Sequence, residues 1–140
     1  MIDKDYIQKE IEELQNALIV LERHSDIDIT VLERDIERRW IVERGLIVVM
    51  QSVFNIAAHI LSSQFNNEWD DYFTLLGKLG DHGVLPKEFA DNFKKMSGFR
   101  NILVHEYDII DLSVVQKVMN DELNDFKEFI KYVQTFVQKH

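Results

Sequence analysis

The sequence predicts an all-α fold, an antiparallel bundle of four long helices and one short one in a single domain spanning residues 1–140. Three observations predict it. Along most of the chain apolar residues recur in alternating steps of four and three, the period that gathers side chains on one face of a helix. The 140 residues include one Pro and five Gly, so little interrupts long helices. No stretch alternates apolar and polar as a half-buried strand does, and no internal repeat or low-complexity tract occurs.

The first helix is expected over about Asp5 to Arg23, where Ile7, Ile11, Leu14, Leu18 and Leu21 form one narrow apolar stripe behind an acidic outer face. Asp3 or Asp5 caps it, placing a carboxylate at the positive end of the helix dipole. His24-Ser25-Asp26 reads as a turn. A second helix is expected from roughly Asp28 to Ser63 and changes character halfway. Its first half mixes charges with Val31, Leu32, Ile36 and Trp40, and Asp35 with Arg39 and Arg39 with Glu43 are favourable four-apart pairs. From Leu46 to Leu61 nearly every side is apolar, which predicts a central helix surrounded by protein that also serves as the contact to a second copy.

Gln64 to Glu68 is polar and reads as a loop. The short helix follows from about Asp70 to Leu79, with Tyr72, Phe73, Leu76 and Leu79 inward and Gly80 and Gly83 ending it. Pro86 fits the first turn of the fourth helix, where a missing amide proton costs nothing. That helix carries Phe89, Phe93, Met96 and Leu103 on one face. Asp108 to Asp111 is a turn, and Asp111 caps a last helix with the stripe Val115, Met119, Leu123, Phe126, Ile130, Val133 and Val137.

A chain of this length buries roughly two-thirds of its unfolded surface in one core. Cysteine is absent, which excludes disulfides, thiol nucleophiles and cysteine metal sites. The N-terminus is acidic and amphipathic, and no apolar run approaches the roughly 20 residues that span a bilayer, so a soluble cytoplasmic protein without membrane association is expected. A net charge of −9 argues against a broad nucleic-acid footprint. Any RNA contact must therefore be local, and cations do cluster at Arg34, Arg38, Arg39 and Arg44 and again at Lys94, Lys95 and Arg100. The same acidic exterior suits a basic protein partner.

The chemistry concentrates in Phe99 to Tyr107, Phe-Arg-Asn-Ile-Leu-Val-His-Glu-Tyr. Arg100 stands where the fourth helix's stripe asks for an apolar residue, and a buried guanidinium needs an anion, either a carboxylate of this chain or a substrate's phosphate. On an ideal helix residues five apart are separated by about 140°, so Arg100 and His105 do not share a face, whereas Asn101 and His105 do. For Arg100 and His105 to meet one substrate atom, the helix must loosen near His105 or a symmetry mate must supply the second group.

Together these side chains suit metal-free cleavage of an RNA phosphodiester. His105 is the side chain whose ordinary pKa fits proton transfer near neutrality, Arg100 holds the phosphate and meets its growing charge, Asn101 fixes the imidazole or binds substrate, and Tyr107 binds or stacks. On the residues alone a simpler reading leads. It has Arg100 buried against Glu43 or Glu37, and His105 at the negative end of a helix dipole.

Arg100-Asn-Ile-Leu-Val-His105-Glu-Tyr107 resembles the Arg, four residues, His, any residue, Tyr signature of HEPN-domain ribonuclease toxins of the HepT type. Gly83-Val-Leu-Pro86 through Phe99, Asn55-Ile-Ala-Ala-His59-Ile60 and the Asp-capped last helix resemble that family too, from about Leu32 onward. The resemblance implies a HEPN-like helical homodimer with the Arg100 and His105 motifs of two copies facing one cleft. It implies metal-independent endoribonuclease activity, with tRNA as the expected substrate, in the toxin of a type VII toxin–antitoxin system. The implied partner is a minimal nucleotidyltransferase antitoxin that moves AMP from ATP onto Tyr107, setting a bulky anion next to Arg100 in place of a substrate phosphate.

The other reading is a non-catalytic helical module whose cleft holds a nucleotide or a partner's segment. Elsewhere, His59 among Ile56, Ala57, Ala58 and Ile60 reads as a hydrogen-bonded core or interface histidine, and Arg39 with Glu43 as a solvated ion pair. Trp40 and Trp69 read as packing residues. His24, His82 and His140 form no ligand spacing, and with no zinc, phosphate-loop or serine-hydrolase motif no metal or cofactor is expected.

Overall fold

A computed structural model describes residues 1–66, 68–104 and 110–140, with Ile102 and Val104 described by their backbone alone. Among the described residues the fold is all-α, as the apolar spacing predicts. Helix α1 (Lys4–Glu22) buries the expected stripe in full, from Ile7 to Leu21, and Asp3 caps it by accepting from the Tyr6 N–H at 3.1 Å. It packs along α3 (Ile36–Phe65) and against the last helix. The Leu46 to Leu61 stretch of α3 is the centre of the bundle, with Leu46, Val49, Met50, Val53, Phe54, Ile56, Ala57, Ile60 and Leu61 buried.

Helix α3 is also long and apolar enough, by length and composition, to cross a membrane. This corrects the expectation that no apolar run is long enough: Gln51, Ser52 and Asn55 interrupt the stretch without removing its apolar character. In the structure 56% of its most apolar window is buried inside the bundle, as a central helix requires.

Three of the predicted helices are interrupted. The second breaks at Asp35 into α2 (Ile29–Arg34) and α3, because the Asp35 carboxylate accepts from the Arg38 backbone N–H at 3.1 Å and starts a new helix. The carboxylate thus caps a helix in place of the four-apart pair with Arg39 that the spacing suggests. The fourth breaks into α5 (Lys87–Phe93) and α6 (Met96–Val104). Between them the amides of Lys95, Ser97 and Gly98 each donate three residues back, and Ser97 Oγ donates to the Lys94 carbonyl at 2.9 Å. Phe93, Met96, Phe99 and Leu103 still reach the core, so the break leaves the apolar pattern intact.

The last helix begins at the Asp111 cap as α7 (Leu112–Lys117), passes through a π-helical turn at Val118–Glu122 and continues as α8 (Leu123–Gln138). The wider turn lets Val118, Met119 and Leu123 all face inward, and Phe129 and Phe136 join the stripe while Val137 is half-buried. Phe93 lies 5.2 Å from Phe129 and 5.8 Å from Phe126 between ring centres, joining α5 to α8.

Helix α3 ends at Phe65, two residues later than the sequence suggests, and Asn66 caps it in the left-handed region (φ 47°). The short helix α4 (Tyr72–Asp81) buries Leu75, Leu76 and Leu79, but Phe73 points outward and is 47% exposed. Gly80 does not end it: a Cβ there would meet the Cβ of Ala90 at 2.6 Å, so Gly80 lets α4 and α5 approach. Gly83, at φ +76°, makes the turn, and Pro86 sits one residue before α5 as its cap.

Candidate active site

Arg100 lies on α6 between the buried Phe99 and Leu103, itself half-buried. Its guanidinium carbon sits over the ring of Tyr72, 4.7 Å from the ring centre. Tyr72 in turn stacks on Phe54 of α3, with centroids 4.1 Å apart and planes 20° apart, and Phe54 is 2% exposed. Arg100 is therefore the outer layer of a stack of three that begins in the core. Among the described residues no carboxylate pairs with it and no acceptor engages its N–H donors. The simpler reading of an Arg100 held by Glu43 or Glu37 is overturned, because Glu43 is held by Arg39 at 3.6 Å on its own helix and the exposed Glu37 makes no ion pair with Arg100.

Asn101 is exposed and lies about 100° around the helix from Arg100, so the two present different sides. His105 and Tyr107 lie outside the described residues, as does Asp108 of the expected turn.

Tyr72 is the residue at this site that the sequence reading missed, having counted it as core. It is the first residue of α4, fixed by Asp71, whose Oδ1 accepts from the Thr74 backbone N–H at 2.7 Å. That hydrogen bond holds the Asp71 carboxyl below its usual range. Beside it, Lys94 Nζ lies 4.9 Å over the exposed Phe73 ring and 3.5 Å from Asp91 Oδ1. Two neighbouring aromatic residues of α4 thus lie under two cations from the segment that follows. Only the pattern of adjacent aromatics next to an Asp cap hints at this in the sequence, and nothing there connects them to residue 100.

The second basic cluster disperses. Arg38 Nε donates to His24 Nδ1 at 3.3 Å, Arg39 pairs with Glu43, and Arg44 lines a groove of about 660 Å³ between α1 and α3 with Glu10, Gln51 and Asn55. Burial pushes the Glu43 carboxyl up although Arg39 pulls it down, so this ion pair is more enclosed than the solvated pair expected. His59 Nε2 accepts from the Asp3 backbone N–H at 3.0 Å and packs on Tyr6, which fits the structural role read for it. Trp69 packs against the core, whereas Trp40 is 60% exposed and is no core residue.

The model of the HepT-like ribonuclease family matches residues 7–133. Over 136 residues the chain is 27% identical to the tRNA nuclease HepT of Aphanizomenon flos-aquae, covering 97% of this chain and 92% of that one. Over 87 residues it is 34% identical to the mRNA nuclease HepT of Shewanella oneidensis, covering 60% and 63%. Among solved structures, the tri-AMPylated Shewanella oneidensis HEPN toxin in complex with its MNT antitoxin aligns with a TM-score of 0.82 at 25% identity, over 96% of this chain and 99% of that one. With the helical bundle and a family match across nearly its whole length, the chain belongs to the HepT-like ribonucleases.

Proposed function

We propose that this chain is the toxin of a type VII toxin–antitoxin pair, an endoribonuclease that cleaves RNA without metal and is silenced by a nucleotidyltransferase partner. The observation that carries the proposal is Arg100: a half-buried guanidinium held over an aromatic ring, with no carboxylate among the described residues to neutralise it. Such a group is suited to grip a phosphate and to meet the charge that builds on it in the transition state.

In this reading Arg100 holds the scissile phosphate and His105 moves the proton. The ribose 2′-oxygen attacks phosphorus, the bond to the 5′-oxygen breaks, and the proton lost by the 2′-hydroxyl is balanced by one given to the leaving oxygen. A 2′,3′-cyclic phosphate and a 5′-hydroxyl end result. Positions 100 and 105 diverge on an ideal helix, and in this reading they meet at a cleft between two copies, as the family resemblance implies, with Asn101 assisting from the exposed side of α6. The antitoxin transfers AMP from ATP to Tyr107: the phenolic oxygen attacks the α-phosphorus, pyrophosphate leaves, and added negative charge competes with RNA for Arg100.

A relative aligned over 97% of this chain is a tRNA nuclease, so tRNA is the first substrate to test. Purified protein is expected to cut tRNA in the presence of a chelator, and Arg100→Ala and His105→Ala are each expected to abolish cutting while the dimer persists. Cleavage retained by both variants refutes the proposal.

A further inference from the structure

An arginine at the edge of a core needs something to hold it, and the usual holder is a carboxylate. A carboxylate would also occupy the N–H fork and cancel the charge, leaving little for a substrate's phosphate. Arg100 is held instead by the face of Tyr72, 4.7 Å away. The negative face of an aromatic ring attracts a cation without accepting its in-plane donors, so position is fixed while the fork stays open. Tyr72 is itself fixed twice, by the Asp71 cap at the start of α4 and by the buried Phe54 ring beneath it.

We propose that Tyr72 is a positioning residue for the phosphate-holding Arg100, and that the stack of Phe54, Tyr72 and Arg100 transmits the rigidity of the core to the site. The inference rests on the reading of Arg100 given above. It requires that Tyr72 act through Arg100 and not on RNA directly. A misplaced guanidinium still attracts a polyanion but meets the transition state poorly, so loss of the ring lowers kcat more than it raises KM.

The test is cleavage of tRNA by the full chain, with kcat and KM measured separately for the parent, Tyr72→Phe and Tyr72→Leu, and with Arg100→Ala as the inactive reference. Tyr72→Phe keeps the aromatic face and is expected within about twofold of the parent. Tyr72→Leu is expected to lose on the order of 10-fold in kcat.

If Tyr72→Leu fails to fold, successive fluorination of a phenylalanine at position 72 weakens the ring's negative face at nearly constant size. The kcat should then fall with each fluorine. Full activity in Tyr72→Leu or in the most fluorinated protein, with Arg100→Ala inactive, overturns the positioning role alone. A loss in Tyr72→Leu that lies in KM with kcat unchanged also overturns it, because that marks direct contact with RNA, and full activity in Arg100→Ala overturns the reading of the site itself.

Discussion

Arg39 and Arg100 are both half-buried at the edge of the core, and they are held in opposite ways. Arg39 faces Glu43 one turn on, at 3.6 Å, with side chains 29% and 19% exposed. Its charge is committed inside the chain, and burial still pushes the Glu43 carboxyl above its usual range despite the neighbouring cation. Arg100 lies over Tyr72 and keeps its hydrogen-bonding edge unengaged among the described residues. An ion pair closes an arginine to other ligands, whereas an aromatic face holds it and leaves it open. The first arrangement commits the charge to the fold, and the second leaves it open to the phosphate proposed for it.

The contrast breaks most readily at the level of activity. Arg100→Lys places a point charge where a planar fork is needed, and tRNA cleavage is expected to fall on the order of 100-fold with little change in the urea midpoint. Arg39→Lys keeps the charge beside Glu43 and is expected to leave cleavage rates unchanged; equal losses in both variants would erase the distinction. Next in size is Asp35→Ala, which removes the cap that begins α3 and sets Arg39 four residues before Glu43. It is expected to cost about 1 kcal/mol in urea unfolding, with Asp35→Asn close to the parent.

A smaller effect is expected from Arg39→Ala, about 0.5 kcal/mol near neutral pH once solvent screening is counted. Its pH dependence has a defined sign. The folded-state pKa of Glu43 is raised, so the stability this group contributes is present below its unfolded pKa and is lost as pH rises through the folded one. Removing the cation enlarges that loss, so parent and variant should converge in urea midpoints towards about pH 4 and separate towards about pH 7. Smallest is Glu43→Gln, which removes the desolvated charge. Its midpoint relative to the parent is expected to rise between the same two pH values; a fall would show that the ion pair outweighs the burial.

How much of this was legible varies by element. The α1 stripe was read without error, since its five apolar residues have one helix-long partner in α3 and a propensity that nothing opposes. The break at Lys94 and Lys95 was not legible, because Phe89, Phe93 and Met96 keep helical spacing across it while the backbone tightens to bonds three residues back. Apolar period reports which side chains share a partner and is blind to whether the chain between them stays helical. Asp35 was visible as a residue, but the same carboxylate suits an ion pair and a cap equally well on paper. Phe73 and Trp40 were assigned inward by type, yet the ends of α4 and α3 carry them past the edge of the core.

The site divides along the same line. Residue 100 stood out from the sequence alone, because a charge in an apolar stripe is a local anomaly that counting detects. The identity of what holds it depends on α3, α4 and α6 meeting at one point, and Phe54, Tyr72 and Arg100 share no spacing rule that could link them. Local pattern therefore determined the all-α class, the central helix and the arginine that needs a partner. Only the packed chain decided that the partner is a ring and not a carboxylate, since contacts between residues so far apart in sequence exist only once the helices have closed around one core.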